Sequence, residues 1–262
     1  MPVVCGIKEK IMDNKTLAYI NMFAILGSLP KLCENDKRAS RLVSMKEAVS
    51  IAFEVNGGPN ATFTFGNGTC FVLDGAHECD IKLYFNSCEH FNAMIDGKAM
   101  PIPLKGFTKI GFLTKNFTKL TDILSAYLRP TPEALEDETF FNVSTSLMLY
   151  VIGGAVAQIG NNDKIGKFSA SNIVDGTVCL SIKDGPAVYV AVNNHIMTAH
   201  LDKNAEPRAI MQFADMRTAR DLFDGKVNAM DCIGKQKITL CGMISMLDNV
   251  NRILDRVAVY LA

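Results

Sequence analysis

The sequence lacks an excess of charge of either sign. Its 262 residues include 27 lysines and arginines against 27 aspartates and glutamates, so the formal net charge is zero. A surface that binds nucleic-acid phosphates needs a basic excess, and this balance therefore gives no support for a nucleic-acid partner. Hydrophobic residues make up 48% of the chain, which excludes a protein that is disordered throughout.

Motifs for catalysis, cofactors and metals are also missing. The sequence contains no G-x-S-x-G, Walker loop, G-x-G-x-x-G or H-E-x-x-H. His195 and His200 are five residues apart on strand-like segments, which points them to opposite faces. His77 and Cys79 have no further ligand at zinc spacing. We therefore predict a protein that is not an enzyme and that holds neither a metal nor a cofactor.

Signals for disulfides and secretion are absent as well. The eight cysteines include no C-x-x-C, and residues 1–10 hold no apolar core of signal-peptide length. We expect reduced thiols and a cytoplasmic location. Cys70, Cys88 and Cys232 would be nucleophiles only with a base close in space, and inert buried thiols are the more common case.

The longest uncharged run of the chain has an apolar part that is shorter than a membrane span. Residues 139–162 carry no charge, but the strongly apolar part, Leu147–Ile159, is only 13 residues long. A bilayer requires about 20. The pattern predicts a buried helix and no stable membrane insertion.

What the sequence does contain is a repeat, visible when the chain is compared with itself. The matches are collinear, at shifts of 127 and then 128 residues, which favours two diverged copies of one unit. They pair Gly27 with Gly154, Asn35-Asp36-Lys37 with Asn162-Asp163-Lys164, Gly58-Pro59 with Gly185-Pro186, Phe85 with Phe213, Asp96-Gly97-Lys98 with Asp224-Gly225-Lys226, Gly106 with Gly234, and Lys109-Ile110 with Lys237-Ile238. After a further insertion of two residues, Ile123-Leu124 in the last helix of copy one pairs with Ile253-Leu254.

Both copies predict the same order of elements: a helix, four strands forming an antiparallel meander, a short helix, a fifth strand and a last amphipathic helix. The first helices are Leu17–Leu32, with Pro30 near its end, and Leu147–Ile159. Ser87 and Asp215 are the expected N-caps of the short helices, and Gly97 and Gly225 their stops. The predicted strands are Val49–Val55, Ala61–Phe65, Thr69–Leu73, Asp80–Phe85 and Lys109–Leu113, then Thr177–Ile182, Ala187–Val192, Ile196–Leu201, Arg208–Phe213 and Lys237–Cys241.

The predicted fold class is therefore α+β, with two repeated units that each have a five-stranded, mostly antiparallel sheet covered by helices. We expect a first unit at 1–130, a proline-containing acidic linker at 131–142 and a second unit at 143–262. Two arrangements stay open: the units pack side by side through Leu147–Ile159, or they sit apart on the linker.

The order of elements and a short signature resemble the sterol carrier protein type-two family of lipid-transfer domains. In copy two the signature is Asp224-Gly225-Lys226 followed by Gly234-Lys235-Gln236-Lys237-Ile238 and Gly242. Copy one has Asp96-Gly97-Lys98, Gly106 and Lys109-Ile110, and it departs from the pattern at Phe107 and Lys115. The resemblance implies an apolar tunnel between sheet and helices that accepts sterols, acyl chains or related lipids.

A site of this kind would be lined by apolar side chains on the helix-facing side of the sheet and on the last helix. Methionine suits such a lining because it is flexible and polarizable. The candidates in copy two are Met197, Met211, Phe213, Leu222, Met230, Leu240, Met243, Ile244, Met246 and Leu247. The candidates in copy one are Phe63, Phe65, Phe71, Phe85, Phe91, Met94, Phe112 and Phe117.

The resulting hypothesis is a cytoplasmic, non-catalytic protein that binds, and in some settings transfers, a lipid-like apolar molecule in an internal cavity. The alternative is a protein-interaction or scaffold module that uses the same fold with a filled core. A mixed case also stays open, in which one copy binds a lipid while the rings of the other fill its cavity. Homo-oligomerisation is compatible with either hypothesis.

Overall fold

The computed structural model describes residues 12–261, so Cys5 and the prediction made from residues 1–10 lie outside the described residues. The described chain contains two five-stranded sheets. The first sheet comprises β1 Val49–Val55, β2 Asn60–Gly66, β3 Thr69–Asp74, β4 Ile81–Phe85 and β5 Ile102–Lys105. The second comprises β6 Gly176–Ile182, β7 Ala187–Asn193, β8 Ile196–His200, β9 Ala209–Phe213 and β10 Ile238–Gly242.

Helices precede, interrupt and follow each sheet. Those of the first half are α1 Asn14–Asn35, α2 Lys37–Leu42, α3 Cys88–Ile95 and α4, a mixed 3-10, π and α segment over residues 107–128. A 3-10 turn, Ala134–Glu136, precedes the helices of the second half: α5 Glu138–Asn162, α6 Lys164–Ala170, α7 Met216–Phe223, α8 Ala229–Gly234 and α9 Ile244–Tyr260. We call α1–α4 with the first sheet unit one, and α5–α9 with the second sheet unit two.

The two sheets have the same topology, with strand orders β3-β2-β1-β4-β5 and β8-β7-β6-β9-β10. Three of the four strand pairs in each sheet are antiparallel. The mostly antiparallel α+β prediction is thus confirmed. The predicted four-strand meander is wrong at its last step, because β4 crosses to the other side of β1 and runs parallel to it, as β9 does beside β6.

The fifth strand of unit one was predicted in the wrong place. It is Ile102–Lys105, and the predicted segment Lys109–Leu113 is instead part of α4. Gly106 corresponds in structure to Gly242, since each ends the fifth strand at a positive φ, 93° and 84°. At each glycine an added Cβ would collide with the backbone at the start of the neighbouring strand. The sequence match to Gly234 fails because unit two has an additional helix, α8.

Helix ends were predicted more accurately than helix interiors. Ser87 and Asp215 cap α3 and α7, and Gly97 and Gly225 follow these helices at φ of 72° and 68°. Pro30, however, does not stop α1, which continues to Asn35. The helix narrows to a 3-10 turn at Leu26–Ser28 immediately before Pro30, so a new α segment can start with the proline in its first turn, where no N–H is needed.

The two units lie side by side through α1 and α5, which was one of the two arrangements left open. Ile20 and Ala24 of α1 belong to the same buried cluster as Ala155 and Ile159 of α5. The helices approach closely because Gly154 faces Ala24, where a Cβ on the glycine would lie 2.9 Å from the Ala24 Cα. Helix α5 begins inside the range 131–142; the predicted unit boundaries stay a proposal.

Helices α1 and α5 are also long and apolar enough to cross a membrane by length and composition alone. Their most apolar windows are 67% and 78% buried inside the protein, however, as expected for core helices. Since α5 packs directly on β7 and β8, its apolar surface is used by the fold.

Candidate functional site: the interiors of the two units

The interior of unit one is filled by aromatic rings. Phe53 on β1 lies 5.4 Å from the ring of Phe63 and 5.9 Å from that of Phe117, measured between centroids. Phe85 and Phe91 meet edge to face at 5.0 Å. These spacings are those of favourable ring packing, and they leave the helix-facing side of the sheet occupied by the protein's own side chains.

The predicted lining residues of unit one take different positions. Four are completely buried in the ring cluster, and Phe112 and Phe117 of α4 close it from above while half-buried. Met94 of α3 is also half-buried and packs against this core. Phe71 is 63% exposed, because side chains alternate along β3 and its neighbours Cys70 and Val72 take the inner face. The four buried residues are Phe63, Phe65, Phe85 and Phe91.

In unit two the space beneath the helices is closed by α5 itself. Gly153 faces Val188 of β7, where an added Cβ would lie 2.6 Å from the Val188 Cγ1, and Gly160 faces the Met197 side chain of β8. Absence of a side chain at these glycines lets the helix axis approach the sheet closely. The approach leaves little room between α5 and the strands.

The predicted lining residues of unit two form an inner and an outer group. The inner group is buried and consists of Met197, Met211, Phe213, Met246 and Leu247. Leu222, Leu240 and Met243 are half-buried and pack against this core from its rim. Met230 and Ile244 are 75% and 60% exposed and do not join it.

Two hollows on the described part of the chain are open to solvent and are lined by none of the eighteen predicted residues. One, of about 340 Å³, lies between α2 and α4 beside Arg38 and Lys119. The other, of about 380 Å³, lies at Gly106 and Phe107. Both are surface depressions of unit one.

Each unit contains one buried, helix-capping carboxylate at an equivalent position, which the sequence analysis missed. Asp36 caps α2 through the backbone N–H groups of Arg38 and Ala39, and the hydroxyl of Tyr127 donates to its Oδ2 at 2.8 Å. The Arg38 Nη2 completes the group at 2.7 Å. The cap therefore ties the last helix of unit one to the segment that follows α1.

Unit two repeats this arrangement with the cation on another element. Asp163 caps α6, and Tyr260 of α9 donates to its Oδ2 at 2.8 Å. The partner cation is Arg256 of α9, also at 2.8 Å. The backbone N–H of Asp13 donates to the Tyr260 hydroxyl at 3.2 Å, which links unit two to the start of α1.

These contacts hold both carboxylates in the charged form. Burial opposes ionisation of Asp36, but hydrogen bonds from Arg38, Tyr127 and the backbone outweigh it and lower the pKa to about 2. Burial opposes ionisation of Asp163 too, and Arg256, Tyr260 and the Gly166 N–H lower its pKa below the ordinary value. Such groups fix helix geometry, and neither carboxylate is offered to a substrate.

The sequence held part of this signal. Asn35-Asp36-Lys37 and Asn162-Asp163-Lys164 had been matched as a repeat, but the last helices had been matched three residues out of register. The burial pattern of Leu120, Leu124 and Tyr127 follows that of Ile253, Val257 and Tyr260, a shift of 133 residues. At that shift the two tyrosines coincide.

Three of the described cysteines, Cys33, Cys70 and Cys88, lack the environment of nucleophiles. Burial raises the pKa of Cys33 to about 12 and that of Cys70 well above its ordinary range. Burial is also the main cause of the raised pKa of Cys88. Because the thiolate is the reactive form, these side chains behave as small apolar core groups.

Solved structures of sterol carrier proteins are similar to parts of this chain. Sterol carrier protein domain 2 of Helicoverpa armigera is 13% identical, with a TM-score of 0.35, over 43% of this chain and 89% of that one. Sterol carrier protein 2 from Yarrowia lipolytica in its apo form is 14% identical, with a TM-score of 0.33, over 42% and 92%. The resemblance stated from the sequence is to the same class of domain, and each of these matches has about the length of one unit.

An enzyme is also among the similar structures. The inverting sec-alkylsulfatase Pisa1 from Pseudomonas sp. is 12% identical, with a TM-score of 0.24, over 55% of this chain and 28% of that one. No protein-family model and no curated protein matches the chain.

Proposed function

We propose that this chain is a non-catalytic interaction module in which two sterol-carrier-like units are fused into one body with a filled interior. Such a module binds its partners through its surface and holds no lipid in a tunnel. This is the scaffold alternative of the sequence analysis. The seven described cysteines are free thiols, which supports a reducing, cytoplasmic setting as part of the same proposal.

The observation that carries the proposal is the occupancy of the space between sheet and helices. In unit one the rings of Phe53, Phe63 and Phe85 are at most 1% exposed and pack at ring-contact distances. In unit two α5 lies directly on β7 and β8 at Gly153 and Gly160. A lipid would have to displace apolar side chains that are already closely packed. Replacing their contacts by contacts with the lipid would give no net stabilisation.

The test is a titration with a fluorescent fatty acid and, separately, a fluorescent sterol. The account expects no saturable uptake by the wild-type protein, with a lipid-transfer protein of known occupancy as the positive control. The variant Phe85→Ala serves as an internal comparison. It removes a ring from the packed cluster and so creates a cavity in an interior that the proposal describes as filled. Stoichiometric, saturable binding by the wild type contradicts the proposal.

A second candidate, ligand binding by unit two alone, is favoured by one observation. Its core carries three flexible methionines, Met197, Met211 and Met246, and a rim of half-buried side chains, Leu240 and Met243 among them. Methionine side chains rearrange more readily than phenylalanine rings, so this interior is the easier one to open. If uptake is found, Met211→Phe should abolish it, whereas Phe65→Leu in unit one should leave it unchanged.

A further inference from the structure

One continuous segment of unit one combines lysines with exposed apolar side chains. Residues 98–121 contain five lysines and no aspartate or glutamate, in a chain whose net charge is zero. The segment comprises β5, the turn at Gly106 and the first two thirds of α4. We call it the basic edge.

Large apolar side chains project from the basic edge into solvent. Met100 is 81% exposed, Leu104 52% and Phe107 64%, with Ile102 and Ile110 at 37% and 40%. Monomeric proteins rarely leave several large apolar side chains exposed along one segment unless the surface meets a partner.

We infer that the basic edge docks on an anionic lipid bilayer, with its apolar side chains inserted at the interface and its lysines among the head groups. The inference rests on the proposed function, since a filled module acts through its surface. Interfacial binding combines buried apolar area with electrostatic attraction to anionic lipids. The basic edge supplies both on the same stretch of chain.

The charge of the basic edge is only partly neutralised by the protein. Within residues 12–261, ion pairs engage Lys98 with Asp96 at 3.2 Å and Lys109 with Asp80 at 2.7 Å. Lys105 donates to the carbonyl oxygen of Cys79, which leaves its charge in place. Lys115 and Lys119 are exposed on α4. The edge is therefore net positive even with Asp80 and Asp96 included.

A protein strand is a less suitable occupant of this edge. β5 is only four residues long, and Pro103 has no N–H to donate to an added strand. Proline and lysine on an edge strand also prevent aggregation, which accounts for Pro103 and Lys105. That protective role does not account for Phe107 or Met100, which lie outside the strand. A fluid bilayer accommodates protruding side chains without requiring a protein surface of complementary shape.

The experiment is flotation of the full chain with vesicles of phosphatidylcholine alone or with 30% phosphatidylserine. We expect binding to the anionic vesicles at low ionic strength and its loss at high salt, because the attraction is screened. Phe107→Ser should lower the partition coefficient about tenfold. Lys115→Gln with Lys119→Gln should lower it about twenty-fivefold, at about fivefold per lysine.

Two matched controls separate docking from general surface effects. Phe71→Ser removes an equally exposed ring from β3, at the opposite edge of the same sheet, and should leave partitioning unchanged. Lys46→Gln with Lys183→Gln removes two exposed lysines outside the edge and should reduce it less than twofold. All the substituted side chains are exposed or at a rim, and circular dichroism checks that each variant is folded.

The inference is overturned if the wild type binds both vesicle types equally or not at all, or if Phe107→Ser and Phe71→Ser behave alike. These outcomes do not depend on the interior. If the protein binds anionic vesicles and also takes up a fluorescent fatty acid, the docking inference stands and the filled-interior proposal is wrong. If it neither binds anionic vesicles nor takes up the fatty acid, the filled-interior proposal stands and the docking inference is wrong.

Discussion

Units one and two build the same topology from different interiors. In unit one the rings of Phe53, Phe85 and Phe91 pack against one another on the sheet. In unit two valines and methionines cover the sheet, and the aromatic contact is between Phe213, at the end of β9, and Phe223. The strand orders nevertheless agree. Turns, caps and strand alternation therefore determine this fold, while many combinations of apolar side chains fill it.

The largest expected contrast concerns equivalent phenylalanines. Phe85→Ala should destabilise the protein by about 4–5 kcal/mol, because Phe85 is fully buried among other rings. Phe213→Ala should cost about 3 kcal/mol, because flexible neighbours such as Met211 partly refill the space. Urea unfolding measures both. Equal costs would show that the two interiors respond to a cavity in the same way.

The next largest contrast is in the stability lost when each capping carboxylate is replaced by alanine. Asp163→Ala removes both the N-cap of α6 and an ion-pair partner of the largely buried Arg256, and should cost about 3–4 kcal/mol. Asp36→Ala should cost about 2 kcal/mol, mostly the lost cap, because Arg38 is 66% exposed and regains water. Thermal and urea unfolding of the two variants give the comparison, with Asp122→Ala on the exposed side of α4 as the neutral control. A larger loss from Asp36→Ala would reverse this ranking.

The paired glycines of the central helices should give opposite signs. Gly154→Ala places a methyl group against Ala24 and should destabilise by about 1–3 kcal/mol. Gly27→Ala, at the matching position of α1, meets only ordinary contacts at 3.8 Å and should stabilise by about 0.5–1 kcal/mol. Melting temperatures are sufficient to read the sign. Destabilisation by both would mean that the helices approach each other at Gly27 too.

The last contrast concerns the acid limb of stability, the fall of the unfolding free energy at low pH. The pKa of Asp36 is about 2 in the folded protein against an ordinary 3.8, so its stabilising contribution is complete above pH 4 and is lost as the pH falls toward 2. In Asp36→Asn this part of the pH dependence should be missing. Unfolding free energies measured from pH 5 to pH 2 test it. An unchanged acid limb in Asp36→Asn contradicts the assignment.

How much the sequence predicted depends on whether the signal was local. Strand β1 and the caps at Ser87 and Asp215 follow from nearby residues, and they were predicted correctly. The fifth strand of unit one was missed because a conserved spacing was assumed across a helix, α8, that unit one lacks. The contact between Tyr127 and Asp36 was missed because it joins residues 91 positions apart, so that no local pattern indicates it.

The candidate site shows the same limit. Phe63 and Phe85 are buried on the inner face, but Phe71 points to the outer face because the alternation along β3 begins one residue later than assumed. A sequence also cannot distinguish a lined cavity from a filled one, since both use the same side chains. That difference arises from how closely α5 approaches the sheet at Gly153 and Gly160.

The filled interior is tested most directly by native mass spectrometry of the freshly purified protein, together with organic extraction of the same sample. The account predicts a mass equal to the 28.6 kDa chain or an integer multiple of it, with no apolar molecule in the extract. A stoichiometric mass increment that disappears on extraction and is recovered as a single lipid class would contradict it.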